Sequence, residues 1–211
     1  MLHIFNGYET IIFDCDGVIL DSNNLKIEAM YNSLQMAGVS DLNSQMCCQY
    51  FKNNFGKSRF DHVKHFVEKI ISSKSNKLYE CILNHYSSQC EELYLKAEIT
   101  PGFFEAISNC HAKLFIASGS LQEELRDVFK KRNLDNYFSL ILGSPETKAN
   151  NVATILSQST GKALMVGDAL SDFYAAKENG IDFIAYLPFS NVKEDLENLS
   201  ISEGFSVLRS W

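Results

Sequence analysis

The 211-residue chain lacks a basic excess, a paired-cysteine pattern, a long apolar run and any evident internal repeat. Each absence narrows the reading. The formal net charge is −7. That argues against a nucleic-acid binder, which presents a basic face. An acidic chain can still hold an anionic small molecule in a locally positive pocket. The six cysteines (Cys15, Cys47, Cys48, Cys81, Cys90 and Cys110) make no C-x-x-C pair and no metal-ligand spacing. They read as free thiols in a reducing compartment. No Lys or Arg precedes the first apolar stretch, which Asn6, Gly7 and Glu9 interrupt. Neither a signal peptide nor a membrane span is expected, so a cytoplasmic protein is the default.

The composition that remains is ordinary for a globular protein, with 45% hydrophobic and 21% charged residues. This length makes one large domain or two small ones, with core enough to fold without disulfides. Ile11-Ile12-Phe13 is a short apolar run ending in polar residues, the pattern of a buried strand feeding a loop. Leu114 to Ala117 repeats it before Ser118-Gly119-Ser120, and Ala163 to Val166 before Gly167-Asp168. Tyr137 to Leu142 and Phe183 to Tyr186 are further strand candidates. Helical stretches are expected over Phe103–Cys110, Leu121–Asn133, Ala149–Ser157 and Leu170–Asn179, the last stopped by Gly180. Alternating strands and helices predict an α/β fold, a Rossmann-like parallel-sheet core with helices on both faces.

Residues 22–96 differ. They lack β-branched runs, and apolar residues recur at helical spacing, as at Phe60, Val63, Phe66, Val67 and Ile70. About four helices are expected there, with a turn at Gly56-Lys57-Ser58. The division is then a core of 1–21 and 97–211 around an inserted α-helical cap of 22–96, with Pro101-Gly102 marking the return. The tail from Phe189 to Trp211 gives no clear signal.

The chemistry concentrates at the strand ends. Asp14 and Asp16 flank Cys15 just after the first strand, where open α/β sheets carry their ligand sites. Close carboxylates repel unless a cation intervenes, and a hard divalent ion such as Mg²⁺ suits phosphate chemistry. Turn and cap duties are the plainer alternative. Asp168 and Asp172 form a second acidic pair after another strand. There the plainer reading is an N-cap and a solvated first-turn acid. Ser118 and Gly119 can cradle a phosphate with a hydroxyl and backbone N–H groups. Ser120 with Glu123 can form a capping box at the same time, or capping can be the whole of this segment's role. Lys148 precedes a helix and can supply a fixed cation to a phosphoryl group, although lone lysines are usually solvated.

Taken in order, D-x-D-G-V at Asp14, the Ser118 loop, Lys148 and G-D-x-x-x-D at Asp168 resemble the haloacid dehalogenase superfamily. The match is to its helical-cap subgroup, similar to phosphoglycolate phosphatases and β-phosphoglucomutase-like phosphatases. The resemblance implies a Mg²⁺-dependent phosphatase acting on a small phosphorylated metabolite. Asp14 would be the nucleophile that becomes an aspartyl phosphate, and Asp16 the acid and base. Asp14, the Asp16 backbone carbonyl, Asp168 and Asp172 would serve the metal, and Ser118, Gly119 and Lys148 the phosphoryl group. Cap residues Lys57 or Arg59 would meet an anionic part of the leaving group, with Lys26 near the hinge a further candidate.

Two departures matter. Many relatives follow the motif Lys closely with Pro, whereas here Pro145 precedes Lys148. The β-phosphoglucomutase-type enzymes carry a His where Lys26 stands, which weighs against a sugar phosphomutase. A non-catalytic binding module is the third reading, and the intact acid set weighs against it. Asp16 favours phosphate over a halogenated acid. The expected partner is the small metabolite, not nucleic acid or membrane, and the expected assembly a monomer or weak homodimer.

Overall fold

The computed structural model describes residues 4–211. Six parallel strands form the sheet: β1 (Thr10–Phe13), β4 (Lys113–Leu121), β5 (Leu140–Ser144), β6 (Ala163–Gly167), β7 (Asp182–Tyr186) and β8 (Ser206–Leu208). Their order is β5-β4-β1-β6-β7-β8. After β5 the chain crosses to the other side of β1. Ligand sites of open parallel sheets lie beside such a reversal, at the carboxyl ends of the strands.

Every side chain of β1 is buried. Ile11 and Phe13 pack into one core layer, and Ile12 into the other. A strand covered on both faces therefore reads as an unbroken apolar run. The first layer receives Phe103 of α5 (Phe103–Ile107) and Leu125 and Phe129 of α6 (Gln122–Lys131). The second receives Val152 and Ile155 of α7 (Lys148–Ser157) and Phe173 and Ala176 of α8 (Leu170–Glu178).

Between β1 and β4 lies the helical cap: α1 (Asn23–Met36), α2 (Asp41–Asn53), α3 (Arg59–His65) continued by a π-helical turn over Phe66–Ile70, and α4 (Asn76–Lys96). Met30, Phe51, Val63, Phe66, Ile82 and Tyr86 give it a core continuous with the first layer. The α2–α3 turn falls at Gly56, as the sequence predicts, and Ser58 caps α3 by accepting from the Asp61 N–H at 3.2 Å. No helix among the described residues is long and apolar enough to cross a membrane.

Several elements differ from the sequence reading. Tyr137 belongs to a single 3₁₀ turn over Asp135–Tyr137, and β5 starts only at Leu140. Helix α5 stops at Ile107, and the Ser108 hydroxyl bonds to the Glu105 carbonyl at 2.9 Å just beyond it. Four elements carried no sequence signal. The two-residue strands β2 (Leu20–Asp21) and β3 (Glu98–Ile99) pair antiparallel where the chain enters and leaves the cap. The tail folds into α9 (Lys193–Glu203) and β8, and closes on Trp211, whose ring stacks 4.3 Å from that of Tyr186.

Candidate active site

Three strand ends and two cap helices converge on one buried cluster. Asp14 follows β1 directly, and its N–H pairs with the Val166 carbonyl at 2.9 Å. The chain then turns tightly, with the N–H groups of Ile19 and Leu20 both bonded to the Cys15 carbonyl. Gly17 makes this turn possible. Its φ is +76°, and a Cβ there would stand 2.2 Å from the Asp168 carboxylate.

Asp14, Asp168 and Asp172 place carboxylate oxygens within 4.8 Å of one another, all three buried. Asp172 neither points to solvent nor lies idle. Its Oδ2 accepts from the N–H groups of Asp168 and Ala169 at 3.1 and 2.9 Å, tying down the start of α8. The Asp168 carboxylate accepts from Asn23 Nδ2 at 2.7 Å and does not cap the helix. Lys148, the first residue of α7, lies 3.0 Å from Asp14 Oδ1 and is ion-paired with Asp172. Although that near, Lys148 is out of line for a hydrogen bond to Asp14 Oδ1.

The electrostatics are unbalanced. Burial raises the Asp14 carboxyl to about 7; Lys148 opposes the rise, and Asp172 and Asp16 add to it. Burial, with Asp14 and Asp172 beside it, holds Asp168 well above the usual carboxylate range. Lys148 is raised, because its two carboxylates outweigh burial. Three buried carboxylates against one ammonium make an oxygen donor set that a hard divalent cation fits.

Asp16 is oriented away from this cluster. Its Oδ2 accepts from Lys26 Nζ and Ser120 Oγ, both at 2.8 Å. Its Oδ1 accepts from Ser22 Oγ at 2.6 Å and from Tyr94 OH at 3.0 Å. Burial pushes the Asp16 carboxyl up, but the Lys26 charge and the hydrogen bonds from Lys26, Ser22 and Ser120 hold it below its ordinary value. Lys26 lies on α1 and Tyr94 on α4. The cap therefore reaches into the core and grips this carboxylate from both of its ends.

Ser118, Gly119 and Ser120 form an irregularity in β4, where its register against β5 shifts between Ala117 and Leu121. Ser118 is wholly buried and accepts the Ser120 N–H at 3.1 Å. Ser120 does not cap α6, which starts at Gln122 without a side-chain cap. The capping-box expectation is thus corrected: the hydroxyl is spent on Asp16, Lys26 and Tyr94.

The two cap cations, Lys57 and Arg59, line the cavity between cap and core and also make contacts of their own. Lys57 Nζ bonds to Asn54 Oδ1 at 2.8 Å, in an exposed position. Arg59 is buried and forks onto Glu124 of α6, with Nη1 at 2.7 Å and Nη2 at 2.5 Å from its oxygens. It is a link between cap and core. The cap loop also lies against the serine loop, where a Cβ on Gly119 would stand 2.4 Å from the Gly56 carbonyl oxygen. What remains between cap and core is a cavity of about 10 Å³, lined from below by Asp14, Asp16, Gly119 and Asp168 and from above by Phe51, Phe55, His62 and Tyr86. That is close to the space one water needs.

Ser22, Asn23, Tyr94, His62 and Tyr86 also reach the site, beyond the residues expected from the sequence. Only Ser22 and Asn23 had a signal, as polar residues directly following the first motif.

Buried carboxylates at the strand ends of an open parallel sheet, beneath a helical lid, define a capped α/β hydrolase. The chain belongs to the haloacid dehalogenase-like hydrolase family, whose model matches residues 11–186. It is 29% identical over 181 residues to the phosphoglycolate phosphatase of Aquifex aeolicus, covering 81% of this chain and 80% of that protein. It is 24% identical to the phosphoglycolate phosphatase of Neisseria gonorrhoeae, covering 82% of this chain and 77% of the relative. The fold superposes on a hydrolase from Pseudomonas syringae with a TM-score of 0.76 at 18% identity, over 96% of this chain and 94% of the other.

Proposed function

We propose that the protein is a Mg²⁺-dependent phosphatase that hydrolyses a small phosphomonoester through an aspartyl phosphate on Asp14. The observation that supports this best is the buried Asp14–Asp168–Asp172 cluster beside Lys148. Asp14, the Asp16 backbone carbonyl and Asp168 would hold the ion, with Asp172 fixing Lys148 and the loop around them. The bound ion supplies positive charge that keeps Asp14 ionised and offsets charge on the phosphoryl oxygens.

In this reading residues 22–96 are the cap and the remainder the catalytic core. An Asp14 oxygen attacks phosphorus, and the bond from phosphorus to the alcohol oxygen breaks. Asp16 delivers a proton to that oxygen. A water then attacks phosphorus, Asp16 takes the water's proton, and the bond to Asp14 breaks. Splitting one displacement into two in this way is carboxylate nucleophilic catalysis. The first step needs a proton on Asp16 and the second needs it absent; the grip of Lys26 favours the second state. Ser118, the Gly119 N–H and Lys148 would hold the phosphoryl oxygens. The phosphoglycolate phosphatases among the relatives point to a short, acidic leaving group.

The test is phosphate release from a panel of small phosphomonoesters, with Mg²⁺ or with chelator. Mg²⁺-dependent release from short esters supports the reading. Rearrangement of a sugar phosphate without release would replace it with a mutase.

A further inference from the structure

Two cap side chains over the cavity keep polar atoms that nothing in the fold uses. His62 of α3 and Tyr86 of α4 are each 1% exposed. Both line the cavity that Asp14 and Asp16 close from below. Neither ring nitrogen of His62, nor the Tyr86 hydroxyl, has a hydrogen-bond partner. The Asn54 backbone lies near His62 and Cys90 near Tyr86, without hydrogen-bond geometry. Buried polar groups are almost always paired, so two orphans on one cavity call for a ligand.

We propose that His62 and Tyr86 form the leaving-group subsite of the cap, and that they receive a carboxylate carried by the substrate's alcohol. The assignment rests on the phosphatase reading and deepens it. It also moves the role expected of Lys57 and Arg59 to two neutral neighbours. The Arg59 fork is taken by Glu124 and Ser87, and Lys57 bonds to Asn54. The cavity's upper wall contains no acid; Lys26, Lys57 and Arg59 line it as well. An anion there meets two free donors, with Lys26 and Lys57 close enough to lower the His62 pKa. Phe51 packs against His62 with ring centroids 4.6 Å apart, and together with Phe55 gives the subsite apolar sides for a short carbon chain. Burial, with Lys26 and Lys57 adding, holds the imidazole near 3 and therefore neutral, so it offers one N–H and one lone pair.

The experiment compares three esters of equal chain length that end in a carboxylate, a hydroxyl or a methyl: 2-phosphoglycolate, 2-hydroxyethyl phosphate and ethyl phosphate. For the full chain with Mg²⁺, kcat/KM is measured in the wild type, Tyr86→Phe and His62→Leu. The dissociation constants of the same esters are measured by calorimetry with each substitution placed in an Asp14→Asn background. The wild type is expected to prefer 2-phosphoglycolate to ethyl phosphate, and each substitution to shrink that preference about tenfold or more, the worth of a hydrogen bond to a charged group. Tyr86→Phe removes a single oxygen atom, so it decides the matter should His62→Leu not fold. A preference that neither substitution moves, or one for the hydroxyl ester, overturns the subsite. The binding measurement separates the two readings. Selective binding that the variants abolish, without turnover of any ester, keeps the subsite and defeats the phosphatase. Turnover and binding that ignore both variants keep the phosphatase and defeat the subsite. Absence of selective binding in the unsubstituted background defeats the subsite whether or not the esters turn over.

Discussion

At the scale of single residues, the site is a contest between burial and charge, and the two key aspartates fall on opposite sides of it. Asp14 is pushed up by burial among acids, while Asp16 is held down by Lys26 and by the hydroxyl groups of Ser22 and Ser120. Lys26 makes the difference for Asp16. Lys26→Met is expected to lower kcat about tenfold to a hundredfold, up to the lower end of what a positioned acid or base contributes, because Asp16 itself stays in place. Because the Lys26 charge favours the ionised Asp16 that the second step needs, the loss should fall on hydrolysis of the phosphorylated protein. It should be about equal for alkyl phosphates and for p-nitrophenyl phosphate, which should then show a burst of p-nitrophenol. A loss confined to alkyl phosphates, with no burst, would contradict this role. His62 carries a second, independent consequence. The unfolded chain takes up its proton near 6.5, but the folded protein only near 3. The folded state thus binds fewer protons across that window, and stability is full above about 6.5 and declines as the pH falls. Between pH 7 and pH 5 this group removes about 2 kcal/mol. Urea unfolding of the wild type and His62→Leu at both pH values checks it, and the variant should lose less than the wild type by that amount.

At the scale of elements, two loops decide whether the cap seats on the core. Gly119 on the serine loop and Gly56 on the cap loop meet backbone to backbone, and Ser171 Oγ donates to the Phe55 carbonyl at 3.0 Å. Gly119→Ala is therefore expected to hold the cap loop off. KM should rise several-fold, and amide exchange over residues 54–58 should quicken. Unchanged exchange there would contradict the packing argument. The elements were legible in the sequence in proportion to their burial. Ile11–Phe13 and Ala163–Val166 are buried on both faces and read as strands at once, while β2 and β3 have two residues each and no room for a period. Lys148 was visible as a cation before a helix. Its engagement with Asp14 and Asp172 was not, because that depends on how β1, α7 and α8 meet. The rings of Tyr94 and Tyr86 belong to the core, and only the arrangement of the cap over the sheet brings their hydroxyl groups to the site.

At the scale of the whole molecule, the acidic chain builds its positive charge locally, where Lys26, Lys148 and Arg59 are buried against carboxylates. The tail that the sequence left unread completes the sheet and covers its end. Trp211, the chain's single tryptophan, packs against Phe13, Phe103 and Tyr186, and its Nε1 donates to Thr100 Oγ1 at 2.9 Å. Those partners belong to β1, α5 and β7 and to the return from the cap, so the last residue joins distant parts of the core. Trp211→Ala is expected to cost about 2–4 kcal/mol, near the lower part of the range for deleting a large aromatic. Urea titration followed by far-UV circular dichroism measures it, and a loss within about 0.5 kcal/mol would mean that the tail is ornamental.

The proposed aspartyl phosphate on Asp14 can be trapped directly. Protein turning over 2-phosphoglycolate with Mg²⁺ is quenched, treated with borohydride, digested and analysed by mass spectrometry. Reduction of the Asp14 side chain to the alcohol, dependent on substrate and on Mg²⁺, is the predicted result. Turnover with an unreduced Asp14, or reduction at another carboxylate in its place, would contradict it.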